Sequence, residues 1–218
     1  MTKQFAVIFD VDGVIIDSNP YHKISLRQFA SRYGYTLSEQ ELKERIFGRT
    51  NRQWLLNLFG NIPDEQIRKY ADEKEELFRK IFRPHCKPVK GLLTFLELLD
   101  QQEIPKAVAT SAPPANVSYT LELTQTAKYF PIILDDTFVK NGKPHPEIYL
   151  KASAALKMDP SKCIVIEDSL SGVAAGKAAG CKVIGITTTH NAEELHDADF
   201  IINDFENLGL DQLNKIVS

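Results

Sequence analysis

Near its N-terminus the chain reads FDVDGV, residues 9–14, and this stretch directly follows the apolar run Phe5–Phe9. A short apolar run that ends in polar residues and a glycine is typical of a buried β-strand followed by a tight turn. The carboxylates of Asp10 and Asp12 are therefore predicted to lie just beyond the carboxyl end of a first strand. In open α/β sheets, that edge is where ligands bind.

Apolar runs rich in Val and Ile recur along the chain, and stretches of helical periodicity lie between the later ones. Strand and helix signals that alternate in this way predict a doubly wound α/β core, in which a parallel sheet has helices on both faces. The predicted strands are Phe5–Phe9, Lys106–Thr110, Ile132–Leu134, Cys163–Ile166, Val183–Ile186 and Phe200–Ile202, and the helices include Gly91–Gln102, Pro146–Leu156, Leu170–Ala179 and Leu208–Val217.

The interval from Ser18 to Arg83 interrupts this alternation. It contains four helix-like segments rich in Leu, Glu, Lys and Arg and has no convincing strand. We therefore expect two domains, because a helical insert follows the first strand. The helical domain is predicted to span residues 18–87, and the α/β core domain to comprise residues 1–17 and 88–218.

Charge and cysteine content exclude several classes of protein. The 218 residues include 26 basic and 29 acidic side chains and carry no run of like charge, so neither nucleic acid nor a membrane surface is an expected partner. The three cysteines are widely spaced and predict neither disulfides nor zinc. Asp10 and Asp12 interrupt the longer apolar segment Phe5–Ile16, which argues against a signal peptide or a membrane span. We expect a cytosolic protein, monomeric by default.

The two aspartates after the first strand suit acid–base and nucleophilic chemistry. One carboxylate can attack phosphorus while the other transfers protons. An EF-hand loop is excluded, because it requires glycine at its sixth position and glutamate at its twelfth, where this chain has Ile15 and Tyr21. On this segment alone, the D-x-D metal motif of nucleotide-sugar enzymes remains an alternative.

Polar residues also follow three other predicted strands. Thr110 and Ser111 offer hydroxyls and backbone N–H groups that can hold phosphate oxygens, although such residues often only form turns. Lys143 can offset the charge of aspartates and a phosphate, whereas an isolated lysine in a turn is more often solvated. Glu167 and Asp168 end an apolar strand, where buried acids need a cation, and their hard oxygen ligands suit Mg²⁺.

These four motifs, in this order and on these strand ends, resemble the haloacid dehalogenase superfamily over essentially the entire chain. The resemblance implies that Asp10 is the nucleophile and Asp12 the general acid/base. It also implies that Thr110 is the phosphate-binding hydroxyl, with Ser111 as the competing candidate, and that Lys143 neutralises charge.

The same resemblance implies a magnesium site. Asp10, the backbone carbonyl of Asp12 and Asp168 would ligate Mg²⁺, and Glu167 would support them. The carboxylate of Asp12 argues against the dehalogenases that name the superfamily, because they lack an acid/base at that position. Phosphoryl transfer is therefore expected rather than cleavage of a carbon–halogen bond.

The helical insert is similar to the cap of the subgroup that contains β-phosphoglucomutase and many small sugar-phosphate phosphatases. This similarity implies a domain that closes over the site and selects the acceptor. Structural alternatives exist for the candidate substrate contacts: His22 can cap or pack, Arg49 can be solvated, and Lys74 can belong to a solvated charged face. The candidates are His22, Gly48, Arg49, Thr50 and Lys74.

The resemblance favours a phosphatase that hydrolyses a small phosphorylated metabolite, such as a sugar phosphate, through an aspartyl-phosphate. Where the mutase has an arginine shortly after the cap glycine, this chain has Asn51. The segment Thr187–Leu195 is also more similar to the sugar-phosphate phosphatases. The alternatives are a β-phosphoglucomutase-type enzyme, then a pyrophosphatase or a non-catalytic phosphate-binding module.

Overall fold

A computed structural model describes residues 5–42, 46 and 50–218. The chain divides into two compact units, one made of the residues up to Asp17 together with Cys86–Ser218, and the other of Ser18–His85. The first unit contains the β-sheet, and the described part of the second is helical. Among the described helices, none combines the length and the apolar character that crossing a membrane requires.

The first unit is built on a parallel sheet, and the predicted α/β fold is confirmed. Among the described residues the sheet has six strands in the order β3-β2-β1-β4-β5-β6. All neighbouring strands are parallel, so each connection must cross from one end of the sheet to the other. The strands are β1 Ala6–Phe9, β2 Lys106–Ala109, β3 Ile133–Leu134, β4 Cys163–Glu167, β5 Lys182–Ile186 and β6 Phe200–Ile202.

The helical unit has its own apolar core. Its described helices are α1 Asn19–Arg32, α2 Glu39–Glu41, α3 Asn51–Phe59 and α4 Asp64–Phe82. Phe29 is fully buried, and its ring meets Trp54 and Tyr70 nearly edge to face, with centroids 5.8 and 5.7 Å apart. Aromatic pairs in this geometry add to the stabilisation from buried area, so Phe29 links α1 to both α3 and α4.

The first unit also contains five described α-helices, and four of them begin and end within two residues of their predicted limits. Ser169 caps one of these helices, because its side chain accepts a hydrogen bond from the N–H of Gly172 at 3.0 Å. The helices are α5 Leu92–Gln101, α6 Pro114–Leu123, α7 Glu147–Ala155, α8 Leu170–Ala178 and α9 Leu210–Val217.

The central strand β1 is buried on both faces, as a parallel sheet covered by helices requires. On one face, Phe9 packs against Phe130 and Phe205, with ring centroids 5.4 and 6.3 Å away. On the other face, Ile8 belongs to an apolar cluster that includes Tyr149 of α7. Side chains of successive strand residues point to opposite faces, so β1 anchors both layers of helices.

Candidate active site

The carboxyl ends of the central strands meet at one edge of the sheet. Phe9, the last residue of β1, pairs with residues of both β2 and β4. Asp10, Thr110 and Asp168 directly follow these three strands and are all almost completely buried. The strand order reverses at β1, and such a switch point is where open α/β sheets bind ligands.

Lys143 reaches this edge from the segment before α7. Its Nζ donates hydrogen bonds to Oδ1 of Asp10 at 2.8 Å and to Oε1 of Glu167 at 2.5 Å. Its side chain is only 7% exposed, so the alternative of a solvated turn lysine is wrong. The buried ammonium therefore neutralises part of the negative charge that Asp10 and Glu167 bring into the interior.

Glu167 is held by five donors from the described residues. Its Oε1 accepts from Lys143 and from the hydroxyl of Tyr149, which lies 2.6 Å away. Its Oε2 accepts from the backbone N–H of Asp168, and from both the N–H and the hydroxyl of Ser169, at 3.0 to 3.2 Å. A carboxylate has about four lone-pair sites, so these donors occupy the hydrogen-bonding capacity of Glu167.

Two glycines allow the carboxylates to come this close to the backbone. A Cβ on Gly172 would lie 1.8 Å from Oε1 of Glu167, and a Cβ on Gly13 would lie 1.9 Å from Oδ2 of Asp168. Gly13 also has a φ of +77°, a conformation that residues with a side chain rarely adopt. Any larger residue at either position would displace an acidic side chain of the site.

Burial raises the pKa of two of the three buried carboxyl groups, and the donors around the third, Glu167, outweigh it. It raises the pKa of Asp10 to about 7, although the Lys143 ammonium favours the ionised form. Burial, together with the charges of Glu167 and Asp10, also holds the pKa of Asp168 well above its usual range. Burial alone would raise the pKa of Glu167, but the charge and hydrogen bond of Lys143 and the other donors lower it below its ordinary value.

The three acidic side chains can hold a metal ion. Asp10, Glu167 and Asp168 each offer a carboxylate oxygen, and these atoms lie within 4.8 Å of one another. One lysine cannot balance three buried carboxylates, and hard oxygen ligands suit a divalent cation such as Mg²⁺. The donors on Glu167 leave Asp10 and Asp168 as the better placed ligands. The site therefore fits a hard divalent cation.

The remaining predicted core residues lie around this cluster. Asp12 is half-buried, and its charge contributes to raising the pKa of Asp10. Thr110 is 1% exposed, and its hydroxyl oxygen accepts from the N–H of Ala112 at 3.2 Å. A hydroxyl that accepts in this way can still donate its own proton. Ser111, the competing candidate, is exposed.

In the helical unit, Lys74 is buried and bonded on two sides. Its Nζ lies 2.9 Å from Nδ1 of His22 and donates to Oε1 of Glu75, also at 2.9 Å. The ring of His22 stacks on Phe78, with centroids 3.6 Å apart. The alternative that Lys74 belongs to a solvated charged face is therefore wrong, because its side chain is 6% exposed.

Thr50 has a structural role that the sequence analysis did not assign. Its hydroxyl accepts from the N–H of Gln53 at 3.3 Å and its own N–H donates to the Gln53 side chain at 3.0 Å, which is a capping box at the start of α3. Gly48 and Arg49 lie outside the described residues. A role in substrate binding for these three residues, for His22 and for Lys74 stays a prediction.

Sequence reasoning missed Tyr149. It lies on α7, six positions after Lys143, and is fully buried. An aromatic residue at a helical position predicts core packing, and Tyr149 does pack in the core, but its hydroxyl also reaches Glu167. The sequence did contain a signal for this contact, since the position holds tyrosine and not phenylalanine. A buried tyrosine usually needs a partner for its hydroxyl.

The chain is similar to known proteins over most of its length. The family model described as haloacid dehalogenase-like hydrolase matches residues 7–186. A phosphorylated carbohydrates phosphatase of Thermotoga maritima is 35% identical over an alignment of 188 positions, which covers 85% of this chain and 87% of that protein. The β-phosphoglucomutase of Bacillus subtilis is 28% identical over an alignment of 222 positions, which covers 96% of this chain and 94% of that one.

A solved structure is similar over almost the whole length. The crystal structure of a HAD hydrolase, family IA, variant 3, from Entamoeba histolytica has a TM-score of 0.90 and 34% identity, and the match covers 98% of this chain and 99% of that chain. The match of the family model over most of the chain shows which family the chain belongs to, and the similarity to the phosphatase agrees with this assignment. The chain therefore belongs to the haloacid dehalogenase-like hydrolases.

Proposed function

We propose that the enzyme is a Mg²⁺-dependent phosphatase that hydrolyses small phosphorylated sugars through an aspartyl-phosphate on Asp10. The main support is that Asp10 lies at the switch point of the sheet with the Lys143 ammonium 2.8 Å from its Oδ1. The similarity to a phosphorylated carbohydrates phosphatase supports the substrate class.

In the first half-reaction, an oxygen of Asp10 attacks phosphorus and the bond from phosphorus to the ester oxygen breaks. The Lys143 ammonium offsets the repulsion between the carboxylate and the phosphate, and the Thr110 hydroxyl donates to a phosphate oxygen. Asp12 protonates the departing oxygen, so the alcohol leaves in its neutral form.

In the second half-reaction, Asp12 accepts a proton from water as the water attacks the phosphorus of the aspartyl-phosphate. The bond from phosphorus to Asp10 breaks, inorganic phosphate leaves, and the Asp10 carboxylate is restored. The same side chain thus acts first as a general acid and then as a general base.

For the metal, we propose that carboxylate oxygens of Asp10 and Asp168 and the backbone carbonyl of Asp12 are the protein ligands. When bound, Mg²⁺ supplies countercharge to the phosphate oxygens and to the nucleophile. Glu167 supports this site by holding Lys143, since its oxygens already accept five hydrogen bonds.

A mutase is the second candidate, because the chain is also similar to a β-phosphoglucomutase along nearly its whole length. The two functions share the first half-reaction and differ in the acceptor, which is water for a phosphatase and a sugar phosphate for a mutase. Products therefore distinguish them, whereas the chemistry at Asp10 does not.

The first experiment measures phosphate release with Mg²⁺ from sugar phosphates, polyol phosphates, phosphoglycolate and pyrophosphate, with a coupled readout of glucose 6-phosphate formed from β-glucose 1-phosphate. We expect phosphate release from several related sugar phosphates. Formation of glucose 6-phosphate faster than free phosphate would make the enzyme a mutase, and a preference for pyrophosphate would make it a pyrophosphatase.

The second experiment tests the covalent intermediate by intact mass spectrometry after acid quench. With a substrate that has a good leaving group, Asp12→Asn should still be phosphorylated but should turn over on the order of 10²–10⁴-fold more slowly, because it lacks the base for hydrolysis. Asp10→Asn should neither gain a phosphoryl group nor turn over. Full activity of Asp10→Asn would exclude the aspartyl-phosphate mechanism.

A further inference from the structure

Three consecutive threonines follow β5, and their hydroxyls have different partners. Thr188 donates to the backbone carbonyl oxygen of Gly13 at 2.6 Å. Thr189 donates to Oδ2 of Asp168. Two neighbouring residues of one loop therefore contact the turn after β1 and the carboxylate after β4.

These two contacts join parts of the site that also touch each other directly. The missing side chain of Gly13 leaves the space that Asp168 fills, because a Cβ there would lie 1.9 Å from Oδ2 of Asp168. The carboxylate of Asp168 is thus held between the turn at Gly13 and the hydroxyl of Thr189. Fixing one oxygen of a carboxylate fixes its plane, and so also the direction of the other oxygen.

We propose that Thr188 and Thr189 are positioning residues that clamp Asp168 against the turn after β1, so that its carboxylate is preorganised for a divalent cation. This inference rests on the proposed function, in which Asp168 is a metal ligand. Protein groups that hydrogen-bond to metal ligands orient them and commonly affect metal affinity 10- to 100-fold.

The exposure of Thr189 makes the proposal testable without disturbing the core. Thr189 is exposed, whereas Asp168 is 3% exposed. Exchanging the hydroxyl for a methyl group at position 189 therefore removes the hydrogen bond and changes little apolar packing. Thr187 is a matched control, because its hydroxyl donates to Oδ1 of Asn203 at 2.8 Å instead of to the site.

The experiment is a calorimetric titration of the metal-free full-length enzyme with Mg²⁺. We expect Thr189→Val to weaken Mg²⁺ binding about tenfold or more, and Thr188→Val to weaken it to a smaller extent. Thr189→Ser keeps the hydroxyl and should bind as the wild type does. Thr187→Val should also bind like the wild type, and all four variants should have a melting temperature close to that of the wild type without metal.

Phosphatase assays at varied Mg²⁺ give a second readout. Thr189→Val should need about tenfold more Mg²⁺ for half-maximal activity but should approach the wild-type kcat at saturation. The positioning role would be disproved if Thr189→Val bound Mg²⁺ with wild-type affinity, or if Thr187→Val lost as much Mg²⁺ affinity as Thr189→Val. Either result would leave the proposed metal-dependent function intact. If the wild type binds no Mg²⁺, the proposed metal site is wrong, and the proposal that Thr188 and Thr189 position Asp168 for a cation is wrong as well.

Discussion

The Nζ atom of Lys143 lies 2.8 Å from Oδ1 of Asp10, although 133 positions separate the two residues in the sequence. The same nitrogen also donates to Glu167, so one ammonium is shared by two buried carboxylates. Since ionised groups in the interior need partners, this contact holds the charged side chains of the site together.

Replacing Lys143 by methionine should lower kcat on the order of 10²–10³-fold, because the variant lacks the positive charge that faces the nucleophile and the phosphate. Steady-state assays at saturating Mg²⁺ measure this change. Lys151→Met is a matched control, since Lys151 pairs with Glu147 in the same part of the chain but is 48% exposed. A Lys143→Met enzyme within a few-fold of the wild type would contradict the prediction.

Tyr149→Phe should destabilise the folded protein by about 1–3 kcal/mol, because it leaves a buried oxygen of Glu167 short of one donor. Chemical denaturation measures the free energy of unfolding. Tyr129→Phe is the control, because the Tyr129 hydroxyl lies 3.5 Å from Glu97 and little should change when it is removed. Equal stability of both variants would show that the hydroxyl of Tyr149 is not needed to hold Glu167.

Gly172→Ala should reduce both stability and activity. In an ordinary helix this change stabilises by up to about 1 kcal/mol, but here the new Cβ would lie 1.8 Å from Oε1 of Glu167. Overpacking of this kind costs about 1–3 kcal/mol, and Glu167 has to move away from Lys143. In the control Gly209→Ala the new Cβ meets only a side-chain atom at 3.4 Å. A Gly172→Ala variant with raised melting temperature and full activity would disprove the steric argument.

The activity should depend jointly on pH and Mg²⁺. Because burial raises the pKa of Asp10 to about 7, a fall in pH through this value protonates the nucleophile when little Mg²⁺ is bound. Cations and protons compete for the same oxygens, so more Mg²⁺ should move the acidic limb of kcat/KM to lower pH. Profiles at limiting and saturating Mg²⁺ measure this shift, and an acidic limb at one fixed pH would contradict it.

The sequence alone was sufficient to predict the α/β fold class and the positions of most strands. The predicted run Cys163–Ile166 lies within β4 Cys163–Glu167, and Phe200–Ile202 is β6 as predicted. Fully buried parallel strands are nearly continuous apolar runs, so their signal is local. The polar residues Asp10 and Asp168 were singled out for a related reason, because they end such runs.

The helical unit was predicted less completely. Its helical character followed from composition and periodicity, but the burial of Lys74 did not. A lysine in a helix rich in Glu and Lys is expected to be solvated. Its contacts with His22 and Glu75 explain why the ammonium of Lys74 is buried instead.

The sequence by itself determined where the strands lie along the chain and which acidic residues follow them. Both are encoded in short runs of neighbouring residues. The tertiary structure decided which distant groups satisfy those acids. Tyr149 reaches Glu167, and Thr189 reaches Asp168, only after the sheet brings their segments together. A buried charge is stable only with partners, and those partners come from wherever the fold places a donor, at separations that no local pattern encodes.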